Sequence, residues 1–136
     1  MKNLRTQQAA LDATGDAGIW VSFDDETRFK VSAISSPSFQ AITETAQKRM
    51  RAAFKNKKVP AKDSEKVFIE CMAEGVVHAW EGVSVVDGEA LEFTRENVLV
   101  VLKEFKRIRE FIVLFALDDE NFSDAPAAAE AEQTKN

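Results

Sequence analysis

The spacing of apolar residues predicts a mainly helical chain that begins with a short β segment. Residues 18–23 and 28–34 are rich in β-branched and aromatic side chains, and the second segment alternates apolar with polar positions. The polar residues 24–27 between them have the length of a hairpin loop. Because a two-stranded hairpin is marginally stable alone, we expect its apolar face to rest on helices.

Two amphipathic helices are predicted after this hairpin, from apolar residues spaced three and four apart. The first has Ser36 as its N-cap and Pro37 at its first helical position, where the missing N–H costs nothing. The second is capped by Asp63 or Ser64 and continues to about Trp80.

A tight turn and a longer helical region follow. Residues 86–89 contain an Asp-Gly pair, which readily supplies the positive φ that tight turns need. Thr94 is the expected N-cap of the next helix, and the apolar stripe after it keeps helical spacing, with a bend near Phe105. We therefore predict a mainly α (α+β) fold, in which an N-terminal β-hairpin packs on a small bundle of about four helices.

The chain divides into one domain and two polar ends. Residues 1–14 are polar and rich in Ala and Gln, which predicts a flexible arm, and residues 15–122 form the expected helical domain. Residues 123–136 are acidic and of low complexity, which predicts a disordered tail.

Composition indicates a protein of a reducing compartment. Cys71 is the single cysteine, so no intramolecular disulfide framework exists. The N-terminal residues lack an apolar block of signal-peptide length, and the longest apolar run, residues 111–117, is far shorter than a membrane span. We expect the protein to act in the cytoplasm.

Charge is distributed unevenly along the chain, whose net charge is −5. Residues 48–58 carry six bases and no acid, among them Lys55, Lys57 and Lys58. A solvated helix end favoured by the helix dipole is one interpretation. A docking surface for an acidic protein or for the chain's own acidic tail is the second, and nucleic-acid binding is the third.

Catalytic and metal-binding patterns are not recognisable in the sequence. His78 is the single histidine and has no nucleophile or carboxylate pair at a typical spacing, and Cys71 lies on an apolar helix face. One Cys and one His do not make a tetrahedral zinc set. We expect a protein that is not an enzyme and that has no cofactor.

The most apolar helix lies near the end of the domain and is the main candidate for protein binding. A helix that is apolar on nearly all sides lies in a core or faces a partner, and both roles are open here. The candidate partner-binding residues of this helix are Phe105, Ile108, Phe111, Ile112 and Phe115.

Several short motifs occur in an order that resembles the tail assembly chaperones of long-tailed bacteriophages. These are Gly-Ile-Trp-Val before the hairpin, Ser-Pro-Ser-Phe at a helix start, Trp-Glu-Gly, Asp-Gly-Glu, Phe-Thr-Arg-Glu-Asn at a helix entry, and Asp-Asp-Glu-Asn-Phe at the end. The resemblance covers residues 18–122. One departure is the β-branched run at residues 98–101, where a helix is expected.

The resemblance implies a small non-enzymatic protein of phage morphogenesis in the host bacterial cytoplasm. Such chaperones bind and solubilise the tape measure protein, promote polymerisation of the tail tube protein and are absent from the mature virion. Self-association and a longer form made by ribosomal frameshifting near residues 133–136 stay open. The alternatives are a virion structural tail or connector adaptor and a small nucleic-acid-associated regulator that uses the basic stretch.

Overall fold

The computed structural model describes residues 3–123, which fold into helices and a small sheet. The predicted fold class, mainly helical α+β, is confirmed, although the hairpin is part of a three-stranded sheet. The expected disordered tail lies outside the described residues except for Ser123. In chain order the elements are α1 (Leu4–Ala17), β1 (Ile19–Ser22), β2 (Arg28–Val31), α2 (Pro37–Ala53), α3 (Ala61–Gly75), β3 (Val77–Glu81), α4 (Arg95–Glu104), α5 (Lys106–Leu117) and a 3₁₀ helix (Asp119–Phe122).

The predicted hairpin is formed by β1 and β2, which pair antiparallel. Its loop is closed by the carboxylate of Asp24, whose Oδ1 accepts the backbone N–H of Glu26 at 2.9 Å and of Thr27 at 2.7 Å. Both bonds favour the ionised carboxylate and lower the pKa of Asp24. The polar loop residues therefore determine where the chain reverses.

The predicted extension of the second helix to Trp80 is wrong, because α3 ends at Gly75 and the next residues form β3. Ser32, the residue that follows β2, forms hydrogen bonds with this backbone. The Ser32 hydroxyl donates to the carbonyl of Gly75 at 2.7 Å, and the Ser32 N–H donates to the carbonyl of Val76 at 2.9 Å. Strand pairing with β2 thus overrides the helical spacing of residues 76–80, and the sheet order is β1-β2-β3.

The first residues also differ from the prediction, since most of the segment expected to be an arm is the helix α1. The Asn3 side chain caps it by accepting the N–H groups of Arg5 and Thr6. The other end is anchored, because Gly15 is buried and its carbonyl accepts the N–H of Ala33 at 3.0 Å. Helix-forming Ala and Gln residues between a cap and an anchor explain the helix.

Two helix starts and one break agree with the local sequence signals. Ser36 and Thr94 cap α2 and α4 as predicted, each accepting the backbone N–H three residues later, at 3.2 and 3.1 Å. The expected bend near Phe105 is a complete break, where φ is −105° and ψ is 81°. It separates α4 from α5.

The predicted cap of the second helix is wrong. Pro60 occupies the N-cap position of α3, in an extended conformation and without a side-chain cap. Its carbonyl accepts the N–H groups of Asp63 and Ser64, so both residues lie in the first helical turn. The acid there is compatible with the positive end of the helix dipole.

The core lies between the inner face of the sheet and helices α2 to α5, as expected for a supported hairpin. Phe29, Met72 and Ile112 are fully buried in this main cluster. A smaller cluster beneath α1 is centred on Phe122, which is also fully buried. Phe115 packs against both clusters and so joins α5 to the N-terminal helix.

Candidate partner-binding surfaces

The helix α5 contributes most of its apolar residues to the core. Ile112 is fully buried, while Phe105, Ile108, Phe111 and Phe115 are half-buried. All five belong to the residues that make or pack against the main cluster. The structure therefore brings the five predicted residues together mainly as core, and their contact with a partner stays a prediction.

Aromatic contacts explain why the half-buried rings of α5 are held in place. Phe111 meets Phe23 edge-on, with ring centroids 5.2 Å apart, and Phe115 meets Phe122 edge-on at 5.6 Å. Edge-to-face pairs of this kind are favourable beyond the area that they bury. A polar substitution at Phe111 would therefore disturb the fold itself and could not isolate a binding role.

The exposed apolar residues of α5 are Leu114 and Leu117, which lie on a different face of the helix. Arg107 and Glu110 lie on the same face, and the four residues are called here the outer face of α5. The side chain of Leu114 is 69% exposed and that of Leu117 is 57% exposed. Sequence reasoning missed both leucines. Helical phase was the available signal, because positions 107, 110, 114 and 117 recur at three- and four-residue spacing with two charged members.

The three predicted lysines lie together in the turn between α2 and α3. Lys55, Lys57 and Lys58 are all exposed. The turn is compact, since Lys55 and Asn56 adopt φ of 53° and 63° and the N–H of Asn56 donates to the carbonyl of Arg51 at 2.9 Å. This basic turn therefore presents three cationic side chains on a backbone of defined shape.

A second basic surface, which the sequence did not reveal, is a hollow of about 550 Å³ between α3, α4 and α5. Four bases from the three helices line it, together with two acids and one apolar residue. We call it the basic depression. Its lining residues are Lys62, Asp63, Glu65, Lys66, Ile69, Lys103 and Arg109.

Arg109 is the fixed member of the basic depression. Its Nη1 donates to the carbonyl of Leu102 at 2.9 Å, and its Nη2 lies 3.6 Å from Oε1 of Glu65. The side chain is only 15% exposed, so it is held largely out of solvent. Arg109 thus joins the end of α4 and the side of α3 to the first turn of α5.

The residues weighed for catalysis are not assembled into a reactive group. Cys71 is buried in the main cluster, and burial raises the pKa of its thiol, which disfavours the thiolate. Partial burial and the charge of Lys30 lower the pKa of His78. Among residues 3–123, no group of three or more His, Cys, Asp or Glu side chains is placed to hold a metal ion.

The Trp-Glu-Gly motif has a structural role at the end of β3. The indole N–H of Trp80 donates to the carbonyl of Leu91 at 2.9 Å and so ties the following loop to the strand. Gly82 has a φ of +73°, and its carbonyl accepts the hydroxyl of Thr27 at 3.0 Å. This motif therefore joins β3 to the hairpin loop and to Leu91, just after the Asp-Gly-Glu turn.

The family comparison gives the origin of the chain. A family model described as YdaY prophage protein matches residues 34–133, more than half of the chain. The chain belongs to this prophage protein family. No curated protein and no solved structure matches it. The phage origin that the sequence resemblance implies is therefore confirmed.

The part matched to the YdaY prophage family contains every surface described above. It begins after β2 and includes α2 to α5, the basic turn, the basic depression and the outer face of α5. No helix within residues 3–123 has both the length and the apolar character needed to cross a membrane.

Proposed function

We propose that this prophage protein is a tail assembly chaperone, which is not an enzyme and acts in the cytoplasm of the bacterial host. It binds and solubilises the tape measure protein, promotes polymerisation of the tail tube protein and leaves before the virion is complete. The observation that carries this proposal is the order of motifs along residues 18–122, which resembles that of such chaperones, in a chain of prophage origin.

The motifs that carry the resemblance lie at the beginnings and ends of structural elements, which supports the proposal. Ser-Pro begins α2, Phe-Thr begins α4, Trp-Glu-Gly ends β3, and Asp-Asp-Glu-Asn-Phe forms the closing 3₁₀ helix. Each motif caps, turns or seals an element. These residues determine local backbone geometry. A chain with the same order of motifs as the tail assembly chaperones is therefore expected to share their fold more directly than their binding surface.

The outer face of α5 is the proposed contact for the apolar stripe of a helical client. Leu114 and Leu117 are exposed neighbours on one helix, and Arg107 and Glu110 lie beside them. Two leucines bordered by charges suit a moderate and reversible interface, which a chaperone that must leave requires. The fully buried Ile112 on the opposite side of α5 holds this face on the core.

Co-expression with the tape measure protein of the same prophage tests the function. We expect that protein to be soluble when the full chain is present and to aggregate when it is absent. A virion structural adaptor is the competing function, and mass spectrometry of purified particles separates the two. The proposal fails if the chain is a component of mature virions, or if the tape measure protein is equally insoluble with and without it.

Exchange of Leu114 and Leu117 for glutamine tests the outer face of α5. Both side chains are exposed and glutamine is a good helix former, so we expect the free energy of unfolding to change by less than about 1 kcal/mol. We also expect most of the co-expressed tape measure protein to lose solubility. Soluble and pelleted fractions give the measurement. Val85→Gln, at another exposed apolar position, is the control and should behave like the wild type.

A further inference from the structure

We propose that the basic depression binds an acidic segment of the tape measure protein, an inference that rests on the function proposed above. The depression gathers Lys62 and Lys66 from α3, Lys103 from α4 and Arg109 from α5. These residues are up to 47 positions apart along the chain, so only the packing of the three helices places them together. They form a surface separate from the outer face of α5.

Of the four bases in the depression, only Arg109 lies within ion-pair distance of a carboxylate in the part of the chain that the structure describes. Glu65 lies beside Arg109, at 3.6 Å. Lys62, Lys66 and Lys103 are exposed, and none of them lies within ion-pair distance of a carboxylate of residues 3–123. Carboxylates of a partner would therefore meet three ammonium groups that remain free to pair with them.

The shape and floor of the depression favour a peptide segment. A hollow of about 550 Å³ has the volume of an ordinary ligand pocket and holds several side chains. Ile69, which is 4% exposed, forms an apolar part of its floor. The matching ligand presents carboxylates at its edges and a small apolar side chain between them, as an acidic amphipathic segment does.

The lining residues favour a protein over a nucleic acid. Asp63 and Glu65 interrupt the positive charge of the lining, which suits a few separated carboxylates better than a continuous phosphate backbone. No aromatic side chain stands among the described residues of the lining, so bases would find no stacking platform there.

The basic turn lies just before the first turn of α3, which carries Lys62 of the depression. Lys58 precedes Lys62 by four residues, and the turn leads directly into α3. An acidic segment that is longer than the depression can therefore continue towards Lys57 and Lys58. Under this proposal, the three lysines that the sequence predicts for partner binding contact the part of the segment that continues beyond the depression.

Charge reversal of Lys66 and Lys103 tests this inference on the full chain. The variant Lys66→Glu/Lys103→Glu should bind the tape measure protein at least about tenfold more weakly, because attraction becomes repulsion at two positions. The matched control is Arg5→Glu/Lys30→Glu, which makes the same charge change on α1 and β2, outside the basic stretch and the depression, and should bind like the wild type. Affinity is measured by pull-down of the co-expressed tape measure protein at increasing salt, and thermal unfolding confirms that both variants are folded.

The outcomes separate this inference from the proposed function. If the wild type does not bind the tape measure protein, the proposed function fails; if the wild type binds and both double variants bind equally well, only the depression is excluded. A nucleic acid would be the ligand of the depression, in place of a peptide, under two conditions. The wild type would retain nucleic acid, and Lys66→Glu/Lys103→Glu would lose it while its binding of the tape measure protein stays unchanged. A third variant is a chain that ends at Ser123. If it binds the tape measure protein more tightly than the full chain, and if Lys66→Glu/Lys103→Glu no longer changes its affinity, the depression is assigned to the protein's own acidic tail.

Discussion

Replacement of Gly82 by alanine is expected to lower the free energy of unfolding by more than about 3 kcal/mol. Gly82 adopts a φ of +73°, which L side chains rarely accept. A Cβ at this position would also overlap the carbonyl oxygen of Glu26 and touch the backbone of Thr27. Because both neighbours are backbone of the hairpin loop, relief of the overlap requires β3 and the hairpin to separate. Urea unfolding followed by circular dichroism measures the loss.

Gly88→Ala is the matched control for this substitution. Gly88 has a similar φ of +80°, but an added Cβ would meet no atom within 4 Å. We therefore expect a cost of about 1–2 kcal/mol, from backbone conformation alone. Equal losses for the two variants would contradict the close approach of Gly82 to the hairpin loop.

Replacement of Phe122 by alanine is expected to cost about 3–5 kcal/mol. The ring is fully buried, packs edge-on against Phe115 at 5.6 Å and fills the cluster formed with Ile19 and Ala33. Its loss leaves a cavity beneath α1, which also packs on the 3₁₀ helix. We expect α1 to loosen, so that limited proteolysis cuts this helix before the rest of the domain.

Phe93→Ala provides the comparison for Phe122. The Phe93 ring is 38% exposed and contacts Trp80 edge-on at 5.1 Å, so its removal opens a site that water can fill. We expect less than half the cost of Phe122→Ala and no change in the cleavage of α1. A Phe122→Ala variant as stable as Phe93→Ala would mean that the 3₁₀ helix does not seal the smaller cluster.

Local signals accounted for the elements that the sequence predicted correctly. Ser36 and Thr94 cap their helices through their own side chains, and Asp24 closes the hairpin loop through its own carboxylate. Each of these decisions depends on hydrogen bonds within three residues. A single sequence contains all the information that such contacts need.

Distant contacts decided the elements that the sequence did not predict. The strand β3 replaces a helical turn because Ser32, more than 40 residues earlier, hydrogen-bonds to Gly75 and Val76. The basic depression combines Lys66 and Lys103 through the packing of three helices. Acids lie between these bases in the chain, so charge counts along the sequence could not reveal the surface.

The strand order β1-β2-β3 has a consequence for synthesis on the ribosome. Arg28 of β2 pairs with Glu81 of β3, 53 residues later. The nascent hairpin therefore waits for that length of chain before its third strand exists, and a two-stranded hairpin is only marginally stable. Phe29 and Val31 also pack with residues of α4 and α5, which are made later still, so slow translation after β2 lengthens the time in which a growing chain can aggregate.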